Sequence, residues 1–310
     1  MESVIQANGL VKTYGELNAV DHLTLEVGEG TIFSLLGPNG AGKTTTVEIL
    51  EGLRNATAGS AQVLGHDVRS EYAKIRAKVG ILPQDFEPFD RLTPREAVVY
   101  WARLFRRNLT KEDAMGLLTE VNLAERASVQ AVHLSGGEKR KLGIAMSLVG
   151  EPELLFLDEP TTGLDPKARR DLWTLIGQVK ARGRTVFLTT HYLDEAEHLA
   201  DDVGIMHKGK LVARGSPQEL VAKGASQTTI VLGSAGAEGL KEVTRRGIHA
   251  EMHDVDVLVR VSDPAEMKVI LAKLSSLEIP LKDMYTKRGT LEDVFLSLVG
   301  TKMEEGVLQP

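Results

Sequence analysis

The sequence predicts an α/β fold built on a parallel core sheet, followed by a small α+β domain. Three observations predict it. The apolar run Thr31-Ile32-Phe33-Ser34-Leu35-Leu36 ends in a glycine-rich turn, and the stretch Thr45-Thr46-Val47-Glu48-Ile49-Leu50 after it reads as a helix. Further on, Leu154–Leu157 and Thr185–Thr189 read as buried strands, with helices expected over 169–181 and 193–201. Alternation of this kind implies a parallel sheet covered by helices. Beyond Gly224 the texture changes to short strands and two amphipathic stretches in the order β-α-β-β-α-β, which fits a ferredoxin-like sandwich.

Taken in order, residues 3–36 are β-rich: Val4-Ile5-Gln6-Ala7 and Leu23-Thr24-Leu25-Glu26-Val27 alternate in polarity between Gly9, Gly15, Gly28 and Gly30. The segment from Gly52 to Gly65 is rich in turn residues, and Val79-Gly80-Ile81-Leu82 is a short strand that stops at Pro83. Thr93-Pro94-Arg95-Glu96 is a helix start, with Thr93 as N-cap, Pro94 at the first position and Glu96 closing a capping box. The pattern then stays helical to about Ala127, so a helical subdomain is expected over 90–150. In the second domain, strands are expected over 228–232, 250–252, 255–261 and 281–285, and helices over 237–246, 264–276 and 291–299. The expected domains are 1–220 and 226–300, with the boundary at 218–226 and a loose tail over 301–310.

The 310-residue length suits about two domains, and 42% hydrophobic with 26% charged residues is ordinary for a chain that buries a core. A net charge of −6 argues against nucleic acid as the main partner. The basic clusters Arg103–Arg107 and Lys139-Arg140-Lys141 read as solvated helix faces. There are no cysteines, which excludes disulfides, thiolate metal sites and cysteine nucleophiles. No stretch approaches 18 uncharged apolar residues, and the N-terminus lacks a basic-then-apolar leader pattern. A role at a membrane is therefore expected to run through a partner.

Gly37-Pro38-Asn39-Gly40-Ala41-Gly42-Lys43-Thr44 is a full G-x-x-x-x-G-K-[ST] phosphate loop between that strand and that helix. Glycines let successive backbone N–H groups converge on an anion. The helix that follows, with Thr45 in its first turn, adds unpaired amides and a dipole. Lys43 is placed to reach β/γ-phosphates, and the Thr44 hydroxyl to take a Mg²⁺ coordination site. Four apolar residues followed by Asp158-Glu159 describe a strand that delivers two carboxylates to its C-terminal edge. Asp158 suits a metal ligand and Glu159 a general base for water. Leu134-Ser135-Gly136-Gly137-Glu138 is a second capped helix start, and so a second anion-binding N-terminus.

With this last element the chain resembles the ATP-binding cassette (ABC) family over about residues 4–220. The resemblance implies the ABC ATPase form of the P-loop NTPase fold, with a β-rich N-terminal part, a parallel core sheet and a helical subdomain. It also implies that Ser135-Gly136-Gly137 complete the site of a second copy, two cassettes holding two ATP molecules head to tail. Tyr14, in Val11-Lys12-Thr13-Tyr14-Gly15, matches the aromatic that stacks on adenine. Gln84 matches the glutamine that touches Mg²⁺ and senses the γ-phosphate, Asp165 the acid of the loop crossing between subunits, and His191 the switch histidine. By that resemblance ATP closes the dimer, and a water held by Glu159 and His191 attacks in line. Glu138 stands where many members carry Gln; both occur in the family.

The resemblance leaves two kinds of role: the energising subunit of a membrane transporter, or a soluble member acting in DNA repair or translation or as a non-hydrolysing regulatory binder. The last of these would be expected to lack the base that Glu159 supplies. The 88 residues from Thr46 to His133 hold no sustained heptads, unlike the DNA-repair type, and the chain carries a single cassette, unlike the translation type. Thr290-Leu291-Glu292-Asp293-Val294-Phe295-Leu296 resembles the closing motif of multidrug and ABC-2 type exporter cassettes. The expectation is therefore a cytoplasmic ATPase, peripheral on the inner face of the membrane through a separate permease, with export favoured over import. Docking on the permease is expected near Gln84 and the helices from Thr93 to Arg107.

Overall fold

The computed structural model describes residues 3–224, 228–261, 264–275, 282–287, 289–301, 303–304 and 306–308. The chain divides into two compact units: residues 1–217 together with 303–310, and residues 218–302.

In the first unit, β1 (Ser3–Tyr14) and β2 (Leu17–Gly28) are long antiparallel strands that alternate buried and exposed positions. Next come β3 (Ile32–Leu36), α1 (Lys43–Leu50), β4 (Ala58–Val63), β5 (His66–Asp67), α2 (Tyr72–Arg76) and β6 (Val79–Leu82). β1, β2, β4 and β5 make a four-stranded antiparallel sheet in the order β2-β1-β4-β5. The turn-rich segment from Gly52 to Gly65 thus holds a strand, β4. Its sequence, Ala-Gly-Ser-Ala-Gln-Val, gives almost no apolar alternation, so sheet pairing with β1 overrides weak local preference.

The helical part comprises α3 (Pro94–Leu104), α4 (Lys111–Glu120) and α5 (Gly136–Leu148). α3 starts on the expected capping box: the Thr93 hydroxyl accepts from Glu96 N, and the Glu96 carboxylate accepts from Thr93 N. The chain continues through β7 (Leu154–Asp158), α6 (Pro166–Ala181), β8 (Thr185–Thr190), α7 (Leu193–Leu199), β9 (Asp202–His207) and β10 (Lys210–Gly215). The core sheet runs β10-β9-β3-β8-β7-β6. Every pairing from β9 to β6 is parallel, and only the edge strand β10 is antiparallel.

Both faces of the central strands β3, β7 and β8 are buried, which is why they read as continuous apolar runs rather than as alternation. Leu155, Leu157, Val186 and Leu188 face the helical part, whereas Phe33, Phe156 and Phe187 face the antiparallel sheet. The Phe187 ring lies 5.1 Å from that of Phe33 and 5.6 Å from that of Phe156, centroid to centroid. Among the described residues no helix is long and apolar enough to cross a membrane.

The second unit begins with α8 (Pro217–Gly224), whose first residue closes the first unit. It continues with β11 (Thr228–Gly233), α9 (Gly236–Arg245), β12 (Ala250–His253), β13 (Asp256–Val261), α10 (Pro264–Leu274), β14 (Asp283–Lys287) and α11 (Leu291–Val299). Its antiparallel sheet runs β12-β13-β11-β14, which is 4-1-3-2 read from the other edge in this unit's own count. That is the arrangement of a ferredoxin-like split β-α-β sandwich. Ser276 and Leu281, where the sequence ends one helix and begins one strand, lie outside the described residues, as do Ala225 and Ser226 of the boundary segment.

One expectation is overturned. Within the expected loose tail, 301–310, the described residues are ordered by pairing. Met303–Glu304 (β15) and Val307–Leu308 (β16) pair as a hairpin that groups with the first unit. Met303 is buried, and the Gly306 carbonyl accepts a hydrogen bond from Asn39 N at 2.6 Å. Gly306 has φ +79°, and a Cβ there would stand 2.7 Å from Asn39 Oδ1. Strands of two residues carry no periodicity, so nothing in the pattern announces them.

Truncating the fully buried Phe187 to Ala removes a ring shared by two aromatic neighbours and is expected to cost about 3–5 kcal/mol. Denaturant unfolding checks this: a loss under about 1 kcal/mol would contradict the packing described.

Candidate functional site

Parallel pairing brings the ends of four strands to one edge. Leu36 is in register with Thr190, Asp158 with Thr189, and Leu82 with Leu157. Just past these positions come the phosphate loop, Glu159, His191 and Gln84. The C-terminal edge of a parallel sheet is where such folds bind ligands.

The loop from Gly37 to Thr44 wraps the start of α1. Gly42 has φ +104°, and a Cβ there would lie 2.1 Å from Ala19 O; one on Gly37 would lie 2.3 Å from Met206 O. Both neighbours are backbone, so a side chain at either position would push the loop off its supports. Ala41 N donates to Pro38 O at 3.1 Å, and Gly37 N to Thr190 O at 3.2 Å, which ties the loop to the end of β8. The Asn39 N–H donates to Gly306 of the tail hairpin. The Lys43 ammonium is buried, 2.8 Å from Gly37 O, 3.2 Å from Pro38 O and 3.2 Å from Glu159 Oε1. Thr44 is exposed and Thr45 half-buried on the first turn of α1.

Glu159 is where the loops meet. It is 5% exposed and has φ +45°, a left-handed conformation that costs a residue with a side chain of order 1 kcal/mol. His191 Nδ1 lies 3.1 Å from its Oε2, which also accepts from Thr162 Oγ1 at 3.1 Å and from Gln84 Nε2 at 3.5 Å. Burial pushes its carboxyl up, yet the bonds and charges of His191 and Lys43 outweigh this and bring it down to about 2. Lys43 is itself pushed down by burial, against the pull of Glu159 and Asp158.

Asp158 is buried and accepts from the Thr189 hydroxyl, while Thr189 Oγ1 in turn accepts from Glu159 N at 3.0 Å. Burial raises the Asp158 carboxyl, opposed by its bonds to Thr189 and Thr44. Thr189 therefore orients both acids, a role the sequence reading missed. The only signal for it is a polar Thr189-Thr190 pair ending an apolar strand.

The remaining expected residues stand apart from Glu159. Ser135 caps α5: its hydroxyl accepts from Glu138 N at 3.3 Å, and the Glu138 carboxylate accepts from Ser135 N at 2.8 Å. Gly136 and Gly137 follow on the exposed first turn. Among the described residues no hydrogen bond or ion pair joins 135–137 to the phosphate loop or to Glu159. Asp165 caps α6 through Lys167 N and Ala168 N, at 2.9 and 3.0 Å. Tyr14 is 42% exposed, with Lys12 Nζ 5.3 Å and Arg54 Cζ 5.5 Å from its ring centroid.

Three further residues were not anticipated. Glu195, fully buried on α7, accepts from Trp173 Nε1 of α6 at 3.0 Å, and burial pushes its carboxyl up. Glu51, buried at the end of α1, is pushed up to about 8 by burial and by the charges of Asp158 and Glu48. Arg140, read as part of a solvated face, instead bonds the carbonyls of Pro83 and Gln84.

With this geometry in place, comparison with known proteins decides the family. A family model described as ABC transporter matches residues 20–162. The daunorubicin resistance ATP-binding protein DrrA3 of Streptomyces coeruleorubidus is 36% identical over 305 residues, covering 96% of each chain. The chain belongs to the ABC transporter family. The linearmycin resistance ATP-binding protein LnrL of Bacillus subtilis is 32% identical over 97% of the cassette chain and 100% of its own. Among solved structures, a dimeric ATP-binding cassette in a post-hydrolysis state, bound to ADP and Pi, superposes with a TM-score of 0.62. It is 26% identical and covers 68% of this chain and 98% of that one. As an ABC ATPase, the chain binds ATP and hydrolyses it to ADP and phosphate.

The Glu51 shift has a pH consequence. A folded-state pKa raised from 4.5 to about 8 means the native state binds more protons than the unfolded one in that window, so stability falls as pH rises from about 4.5 to 8. Glu51→Gln is expected to flatten the fall and to melt above the wild type at pH 9. Equal melting curves across pH 5–9 would refute the assignment.

Proposed function

We propose that the chain is the ATP-hydrolysing subunit that energises a separate membrane permease for export of a drug, lipid or other small molecule. One observation carries the site assignment. A buried carboxylate, Glu159, lies 3.2 Å from the phosphate-loop ammonium of Lys43 and 3.1 Å from His191 Nδ1. A base for water thus stands beside the cation for phosphate. Likeness along the whole chain to DrrA3 and LnrL, whose names record resistance to daunorubicin and linearmycin, supports export as the coupled task.

In this reading the amides of Gly40 and of Gly42 to Thr45 cradle the phosphates within the loop Gly37–Thr44, Lys43 takes the β/γ oxygens, and Tyr14 stacks on the base. Glu159 draws the proton from water and His191 holds it in line; the catalysis is positioning and charge stabilisation. Ser135, Gly136 and Gly137 of a second copy close the site from the far side, with Asp165 in the loop between them. Their separation from Glu159 within one chain, and the likeness to a dimeric cassette bound to ADP and Pi, support that division.

Thr44, Asp158 and Gln84 offer only oxygen donors for Mg²⁺. Among the described residues no group of three or more His, Cys, Asp or Glu is placed to hold a metal unaided. A small hard cation that keeps waters and takes phosphate oxygens fits such a sparse set. When bound, it neutralises charge on the phosphates.

The permease would seat near Gln84 and α3, where Phe89, Tyr100, Leu104 and Phe105 are all exposed. That would place the chain peripherally on the cytoplasmic face of the membrane.

Glu159→Gln is expected to keep ATP affinity within about threefold and to lower turnover at least a hundredfold, since a general base contributes about 10²–10⁴. ATP binding and phosphate release, measured on the same preparation, check this; wild-type turnover in the variant would remove Glu159 as the base. Affinity capture from membranes of the source cell is expected to bring down a multi-span membrane protein. Capture of ribosomes or DNA instead would overturn the transport reading.

A further inference from the structure

The first turns of α5 send two cations back to the loop that carries Gln84. Arg140 Nη1 donates to Pro83 O at 3.0 Å and Nη2 to Gln84 O at 2.5 Å, a fork on two successive carbonyls. Lys139 Nζ donates to Glu87 Oε2 at 2.8 Å. One turn further on, Gly143 lets α5 lie against the same segment: a Cβ there would meet Leu82 Cδ1 at 2.5 Å and the Phe86 ring at 3.0 Å. A cavity of about 280 Å³ opens between residues 84–87, the first turns of α5 at Gly136, Lys139 and Arg140, and the segment Thr162–Leu164. The loop is therefore fastened to the helix through Arg140 and Lys139, and Gln84 Nε2 reaches Glu159 Oε2 at 3.5 Å.

A rigid link of this kind transmits movement. Arg140 lies five residues beyond Ser135, and the helix between them starts on a satisfied capping box. Whatever shifts Gln84 must shift the N-terminus of α5 or break the fork. We propose that Arg140 is a positioning residue: its guanidinium clasps the Gln84 loop to α5, so that nucleotide sensed at Gln84 re-aims Ser135-Gly136-Gly137 toward the second copy. The Lys139–Glu87 pair is the outer strand of the same clasp. This deepens the functional reading above and rests on it, since the re-aimed residues serve the other chain's site. Arginine suits the task because its planar fork takes two acceptors at once and holds its charge at all physiological pH.

The test uses the full chain in a Glu159→Gln background. ATP-driven association is followed by light scattering and ATP affinity by equilibrium dialysis. Arg140→Gln is expected to leave ATP affinity within about twofold while raising at least tenfold the ATP concentration needed for association. With Glu159 restored, the same change should lower kcat, bring the Hill coefficient of hydrolysis toward 1 and raise the half-saturating ATP concentration in step with association. Arg140→Lys, able to reach one carbonyl, should fall between. Association and Hill coefficient matching the parent would overturn the clasp. Should Arg140→Gln fail to fold, the outer strand decides: Lys139→Glu must impair association, and adding Glu87→Lys must restore it. No impairment, or no restoration, overturns the proposal. If the Glu159→Gln parent itself binds ATP but does not associate, the two-copy reading fails instead, whatever Arg140 does.

Discussion

Burying the carboxylate of Glu159 is the constraint around which the rest of the site is arranged. A charge removed from water needs partners, and here they come from loops that share no sequence neighbourhood: Lys43 after β3, His191 after β8 and Gln84 after β6. Parallel pairing delivers those loops to one edge, and the sheet's double burial keeps that edge rigid. The left-handed backbone at Glu159 is the local expense of aiming its side chain inward rather than along the strand. Thr189 then holds Asp158 and the Glu159 amide together, so that both acids move as one body with β8.

Much of this was legible because the relevant residues announce themselves by local pattern. The phosphate loop, the acids after an apolar run and the Ser-Gly-Gly helix start are contiguous motifs, and the Thr93 capping box needs only four residues to be seen. The core strands were legible as runs because both faces are apolar. The sequence was silent where meaning depends on partners far along the chain. Thr189 looks like the polar end of a strand until Asp158 is beside it, and Glu51 like an exposed helix end until burial removes its water. Arg140 looks like a solvated cation until two carbonyls, 56 and 57 residues away, accept its protons. β4 and the tail hairpin were missed for a different reason: they are held by pairing, and their own residues barely favour a strand.

The two units solve burial differently. The first stacks an antiparallel sheet and a helical layer on opposite faces of a parallel sheet, with aromatic rings on one side and branched aliphatics on the other. The second packs α9 and α10 against an antiparallel sheet whose inner face is Ile230, Leu232, Val257 and Val259. Its outer strands, β12 and β14, are almost wholly exposed. Chemistry-bearing residues concentrate in the first unit, since only a parallel sheet gathers several loops at one edge.

The ion pair between Lys43 and Glu159 implies an order of events on the reading proposed for the site. Lys43 and His191 together bring that carboxyl down to about 2, where it has little appetite for a proton. A triphosphate arriving on the loop competes for the same ammonium with more negative charge than a single carboxylate offers. As Lys43 turns toward it, Glu159 is left with His191 and regains basicity in its buried setting. On that reading, a phosphate that draws Lys43 toward itself also frees the carboxylate proposed as its base.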